Sequence, residues 1–99
     1  MKNRCRNEII TSILEVISSG GSTARTKIMY GAFLSYTQLG EYLTFLLKND
    51  LISYHQKTKQ TPPSFTITEK GTQFLKIHSQ INEMISSIKT NQVDKYYNN

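Results

Sequence analysis

Thr37, Glu41, Thr44 and Lys48 recur at intervals of four, three and four residues, so in a helix their side chains share one face, with Gln38 and Phe45 at its flanks. Hydroxyl, amide, carboxylate and ammonium groups in this pattern donate and accept hydrogen bonds. They hold no paired nucleophile and base. Threonine and glutamine suit base edges or phosphate oxygens, glutamate can accept from a cytosine amine, and a lysine neutralises a phosphate. Glu41 opposes tight approach to a phosphate backbone and favours selectivity over bulk attraction. The plainer reading of the same face is solvated helix surface. Tyr36 opens this segment. Its spacing places it with the leucines of the opposite face, and its position in the first turn adds it to the candidate contact set.

Further cations stand in three other places. Arg25 and Lys27 begin a short apolar segment, Lys57 and Lys59 lie in a proline-bearing turn, and Lys2, Arg4 and Arg6 make a basic arm that either reaches a partner or hangs loose. Twelve Lys and Arg against seven Asp and Glu give a net charge of +5 and a pI near 9.4. That balance suits a polyanion, nucleic acid before an anionic membrane.

Other chemistries find little footing. His55 and His78 are isolated, without the spacing of metal ligands, and no phosphate-cradling glycine loop or serine nucleophile motif is present. No enzymatic activity and no cofactor or metal is expected. Cys5 is the single cysteine, so no intramolecular disulfide can form. Its place beside Arg4 and Arg6 suggests redox sensitivity, but an exposed, inert thiol on a loose arm is the much simpler reading. No apolar run approaches the length of a membrane span, and the N-terminus lacks the continuous apolar region of a secretory leader. A reducing cytoplasm fits this reading.

The elements that must hold these groups follow from periodicity. Ile9, Ile10, Ile13, Leu14, Val16 and Ile17 form the stripe of a first helix over about 4–18. Gly20 suits a left-handed cap there, with Gly21 in the loop. "TARTKIMY" reads as a short second helix over 24–30, with Ile28, Met29 and Tyr30 on its apolar side, stopped at Gly31. A third helix begins at Ser35, where Gln38 completes a capping box and Leu34 and Leu39 make a hydrophobic staple. Tyr36, Leu39, Leu43, Leu46 and Leu47 form its buried face, Gly40 suggests a close helix crossing, and Asn49 is the expected left-handed C-cap. Tyr30 and Tyr36 read as core tyrosines, and Phe45 as either a packed residue or a contact residue. "LISYHQ" and "FTIT" are strands of a hairpin over 51–68 whose tip, "KTKQTPPS", is kept out of regular pairing by its prolines. Thr68 caps a last helix. Phe74, Ile77, Ile81, Met84 and Ile88 repeat at intervals of three and four, an a/d seam widened by Leu75 and Ile85.

Three helices, a hairpin and a final helix describe a mainly α chain with a small β-hairpin: a winged helix-turn-helix followed by a long C-terminal helix for dimerisation. The expected division is 1–68 for the winged domain, 69–90 for the dimerisation helix through Phe74, Ile77, Ile81, Met84, Ile85 and Ile88, and 91–99 for a frayed tail. "IMYGAFLSY" and "ITEKG", in their order within a match from Ile9 to Ile88, resemble the small archaeal winged-helix DNA-binding proteins. The resemblance implies binding to double-stranded DNA, as a transcription regulator or a nucleoid-associated protein, by a homodimer joined through a C-terminal coiled coil. It also implies a DNA-facing set of Arg25, Lys27, Tyr36, Thr37, Gln38, Glu41, Thr44, Lys48, Lys57 and Lys59. A winged helix that docks on a larger protein assembly through Phe45 and the weakly charged third helix is the alternative.

Overall fold

The computed structural model describes residues 4–88, so Lys2, positions 89–90 of the expected dimerisation helix and the expected tail lie outside the described residues. The order is α1 (Arg6–Gly20), β1 (Thr23–Ala24), α2 (Arg25–Gly31), α3 (Tyr36–Lys48), β2 (Ile52–His55), β3 (Ser64–Ile67) and α4 (Glu69–Ile88). This is a winged helix-turn-helix with a long C-terminal helix. The expected two-stranded hairpin is in fact a three-stranded antiparallel sheet in the order β1-β3-β2. Thr23 pairs with Phe65 and Ala24 with Ser64. Two residues carry no alternation to read, and β1 forms only because β3 offers an open edge.

α1 starts at Cys5, whose backbone N–H donates to the Glu8 carboxylate at 2.9 Å. That bond holds the Glu8 carboxyl below its usual pKa. The cap is therefore present at neutral pH and is lost as pH falls through the lowered value. Ile10, Ile13, Leu14 and Ile17 form the central stripe of the core. Around them close Ile28 of α2, Leu39, Leu43 and Leu46 of α3, Ile52 of β2 and Phe65 of β3. The close helix crossing expected at Gly40 occurs at Gly31 instead, where Val16 Cγ2 lies 2.8 Å from the point a Cβ would take.

Two helix ends share one solution. After α2, Phe33 N–H donates to the Tyr30 carbonyl (3.3 Å) and Leu34 N–H to Met29 (3.0 Å). After α3, Asp50 N–H donates to Leu47 (3.1 Å) and Leu51 N–H to Leu46 (2.9 Å). Both are Schellman caps, which need a left-handed residue and then an apolar one that folds back on the helix. Phe33 (φ 57°) and Asp50 (φ 63°) take the left-handed position, and Leu34 and Leu51 are buried. Asn49 was the expected left-handed residue, yet its φ is −96°. The apolar requirement decides this: Leu51 is the residue that must fold back, which leaves Asp50 to turn. At the end of α1, Gly21 (φ 68°) and not Gly20 has positive φ.

The second cap leads into the wing, and α4 is tied to the same point. Thr68 Oγ1 accepts the Gly71 N–H at 3.0 Å and donates to the Asp50 carbonyl at 2.7 Å. Thr68 therefore caps α4 as expected and pins its start to the α3–β2 turn. Gly71 lies so close to the Leu51 carbonyl oxygen that any Cβ would overlap it. Phe74 and Leu75 are half-buried against the core, while Ile77, Ile81, Met84 and Ile85 are exposed.

Two substitutions test this junction in opposite directions. Gly71→Ala is expected to destabilise the fold by ~2 kcal/mol through overpacking. Asp50→Gly should stabilise it by ~1 kcal/mol by relieving the left-handed strain. Urea denaturation of both variants measures the difference.

Candidate nucleic-acid interface

α3 stands between α2 and the wing, and its capping box forms as expected. Gln38 N–H donates to Ser35 Oγ at 3.1 Å, and Ser35 N–H to Gln38 Oε1 at 3.1 Å. Gln38 is therefore committed through its carbonyl, and its amide NH₂ remains for a partner. Thr44 is committed too, its hydroxyl donating back to the Gly40 carbonyl at 2.9 Å. Thr37, Glu41 and Lys48 are exposed on the outward face.

Tyr36 departs from its expected place in the core, being 68% exposed. It stands one turn before the packed layer begins at Leu39, and its ring turns instead to Arg25. The Arg25 guanidinium carbon lies 4.4 Å from the Tyr36 ring centroid. One Nη of the same group lies 3.0 Å from the point a Cβ on Gly40 would take. Gly40 thus leaves room for a side chain from α2, not for a second helix. Arg25 Nε is buried without a hydrogen-bond partner. Tyr30, also expected in the core, is exposed at the last turn of α2, and Leu47 sits at the edge of the buried face.

Lys27 leans back, its ammonium 3.5 Å from the point a Cβ on Gly20 would take, beside the C-terminus of α1, where the helix dipole favours a cation. Lys57 and Lys59 are exposed on the wing tip. Thr58 and Thr61 clasp that tip: Thr58 N–H donates to Thr61 Oγ1 at 2.9 Å and Thr61 N–H to Thr58 Oγ1 at 3.2 Å. Gln56 Nε2 adds a bond to the Thr61 carbonyl at 3.0 Å. The two lysines thus project from a tip with local order of its own.

The basic arm is partly structural. Arg4 donates to the carbonyls of Ala32 (2.6 Å) and Phe33 (3.2 Å), bracing the strained turn between α2 and α3. Arg6 lies over the Phe45 ring, 4.5 Å from its centroid, so Phe45 is a half-buried aromatic under a cation and not a bare contact residue. The sequence reading missed both roles, because the partners lie far along the chain. It also missed Phe33, which is 77% exposed in a left-handed conformation. Among the described residues no cluster of His, Cys, Asp and Glu could hold a metal ion, and no helix is long and apolar enough to cross a membrane.

A helix-turn-helix followed by a lysine-tipped hairpin defines the class as a winged helix-turn-helix. The chain belongs to the winged helix-turn-helix family, whose model matches residues 3–86. Among particular relatives, it is 32% identical over 81 residues to uncharacterized protein MJ0287 of Methanocaldococcus jannaschii, covering 82% of this chain and 73% of that one. Sso10a-2, a DNA-binding protein from Sulfolobus solfataricus, superposes with a TM-score of 0.77 at 22% identity over 95% of both chains. A PadR family transcription regulator from Clostridium difficile R20291 does so with a TM-score of 0.75 at 17% identity, over 86% of this chain and 97% of the other. At such identities the structural likeness shows a shared fold. With the archaeal relative, it bears out the resemblance to small archaeal winged-helix proteins.

Proposed function

We propose that the protein binds double-stranded DNA as a homodimer, as a transcription regulator or a chromosome-associated protein of the cytoplasm. The observation that carries this reading is the outward face of α3: polar, free of large apolar groups, and flanked by Arg25 on one side of the fold and by the lysine-bearing wing. A helix is about 10–12 Å across and the major groove about 12 Å wide, so α3 fits the groove. Thr37, Glu41 and Lys48, with the free amide of Gln38 and the remaining lone pairs of Thr44, then face base edges. Arg25, Lys27, Lys57 and Lys59 meet phosphates, and Tyr36 borders the contact. The DNA-binding proteins and regulators that share the fold support the reading by analogy. The competing idea, a protein-docking module, relies on Phe45 and the weakly charged α3; Arg6 covers the first of these.

Dimerisation completes the proposal. Residues 1–68 act as the winged domain and 69–90 as the pairing helix, with 91–99 as a tail. Ile77, Ile81, Met84 and Ile85 lie exposed on one side of α4 at coiled-coil spacing. Phe74, half-buried in its own chain, anchors that seam to the domain. Ile88, whose side chain lies outside the described residues, would extend it. Two symmetric wings and two α3 helices would then meet successive turns of one duplex face.

Anisotropy titration with a fluorescent duplex across a salt series tests DNA binding. With four phosphate contacts from each protomer of the dimer, the log–log salt slope is expected on the order of −7. Absence of binding to any duplex at about 50 mM salt would favour the docking module. Ile81→Glu is expected to convert the dimer to a folded monomer in sedimentation velocity and to weaken binding, and a surviving dimer would sink the coiled-coil seam.

A further inference from the structure

We propose that Tyr36 and Gly40 are positioning residues, which hold the Arg25 guanidinium against the flank of α3 so that it takes one backbone phosphate of the duplex. This rests on the DNA-binding reading above and identifies the side chain that sets the protein's register on the duplex.

Tyr36 and Gly40 are four residues apart, so they form one shelf along the helix. The guanidinium lies over the ring, 4.4 Å from its centroid, and against the bare backbone of residue 40, with an Nη atom 3.0 Å from the point a Cβ would take. Any larger residue at 40 would fill the shelf. Glycine is among the poorest helix residues, so its presence in the middle of α3 needs a reason, and the guanidinium supplies one. Tyr36, exposed at the first turn, contributes a ring face that a cation can rest upon.

Arg25 has no hydrogen-bond or ion-pair partner among the described residues, and its Nε is buried. One edge of the fork is therefore closed off, and no carboxylate among the described residues pairs with the charge. The remaining Nη edge suits two oxygens of a phosphate. Helical geometry favours phosphate over base. Gly40 is turned about 100° from the buried Leu39 and Glu41 about 200°, so Glu41 points down the groove and Gly40 faces its wall. The wall of the major groove is the phosphate backbone.

The test uses full-length protein and a fluorescent random-sequence duplex, with the thermal midpoint recorded for every variant. Gly40→Leu should weaken binding about tenfold and make the dimer's salt slope shallower by about two, one for each protomer, as Arg25→Ala does. Gly40→Ala should show a smaller loss, about threefold, with a thermal midpoint at or above that of the wild type. That gain separates displacement of Arg25 from damage to the helix. If the leucine variant proves unstable, the alanine variant decides. Tyr36→Phe, which keeps the ring face, should retain most of the affinity that Tyr36→Leu loses. In an Arg25→Ala background, neither substitution at Gly40 should cost anything more. Wild-type affinity and slope in both Gly40 variants would overturn the clamp, as would a loss that persists without Arg25. A wild-type protein that binds no duplex would overturn the clamp and the DNA-binding reading together.

Discussion

The fold depends on one constraint: the apolar stripe of α1 has to be covered from three sides. Ile13, Leu14 and Ile17 are fully buried, and α2, α3 and the sheet exist in their observed arrangement because each supplies part of that cover. Ile28, Leu39, Leu46 and Phe65 come from three different elements yet meet around the same residues. In a chain of this size there is no second core to hold α3 in place. The polar face of α3 therefore faces out because its leucines face α1, and the position of any contact surface follows from the core.

The angle at which α3 leaves that core is set by two matching turns. Both follow the Schellman pattern, and both place a residue other than glycine in the left-handed position. Each such residue costs ~1–2 kcal/mol. The strain is held because the following leucine is buried and because neighbouring groups bond to the same turn. Arg4 braces the first turn from the N-terminus, and Thr68 braces the second from the head of α4. Chain segments far apart in sequence thus converge on the two ends of α3. On the proposed reading, this rigidity lets a weakly charged helix act as a reading element, since a mobile helix would lose its few directional bonds to disorder.

Charge is divided between two roles that composition cannot tell apart. Arg4 and Arg6 are spent on the protein's own carbonyls and on Phe45, whereas Lys57 and Lys59 are free at a tip ordered by threonines. Arg25 is intermediate, held in place by its own chain yet without an ion-pair partner among the described residues. The net charge of +5 therefore overstates the charge offered to a polyanion by the basic arm. Among the described residues, Arg25 lies against α3, Lys48 stands on its outward face, and Lys57 and Lys59 sit on the wing.

The sequence by itself determined the helices with strong periodicity, the Ser35–Gln38 capping box, the Thr68 cap and the hairpin with its unpaired tip. These are set by interactions within a few residues, so spacing and residue type suffice to read them. It also determined which face of α3 is polar. Only the tertiary structure decided the rest, because each remaining feature joins segments distant in sequence. β1 is a strand only against β3. Asp50 turns in place of Asn49 because Leu51 must reach the core. Arg4 and Arg6 fold back onto α2, α3 and the turn between them. Gly40, read from the chain as room for a neighbouring helix, makes room for Arg25, and Tyr36 leaves the core to hold it. Periodicity reports which way a residue points, whereas the partner it meets depends on which other element the core has brought alongside.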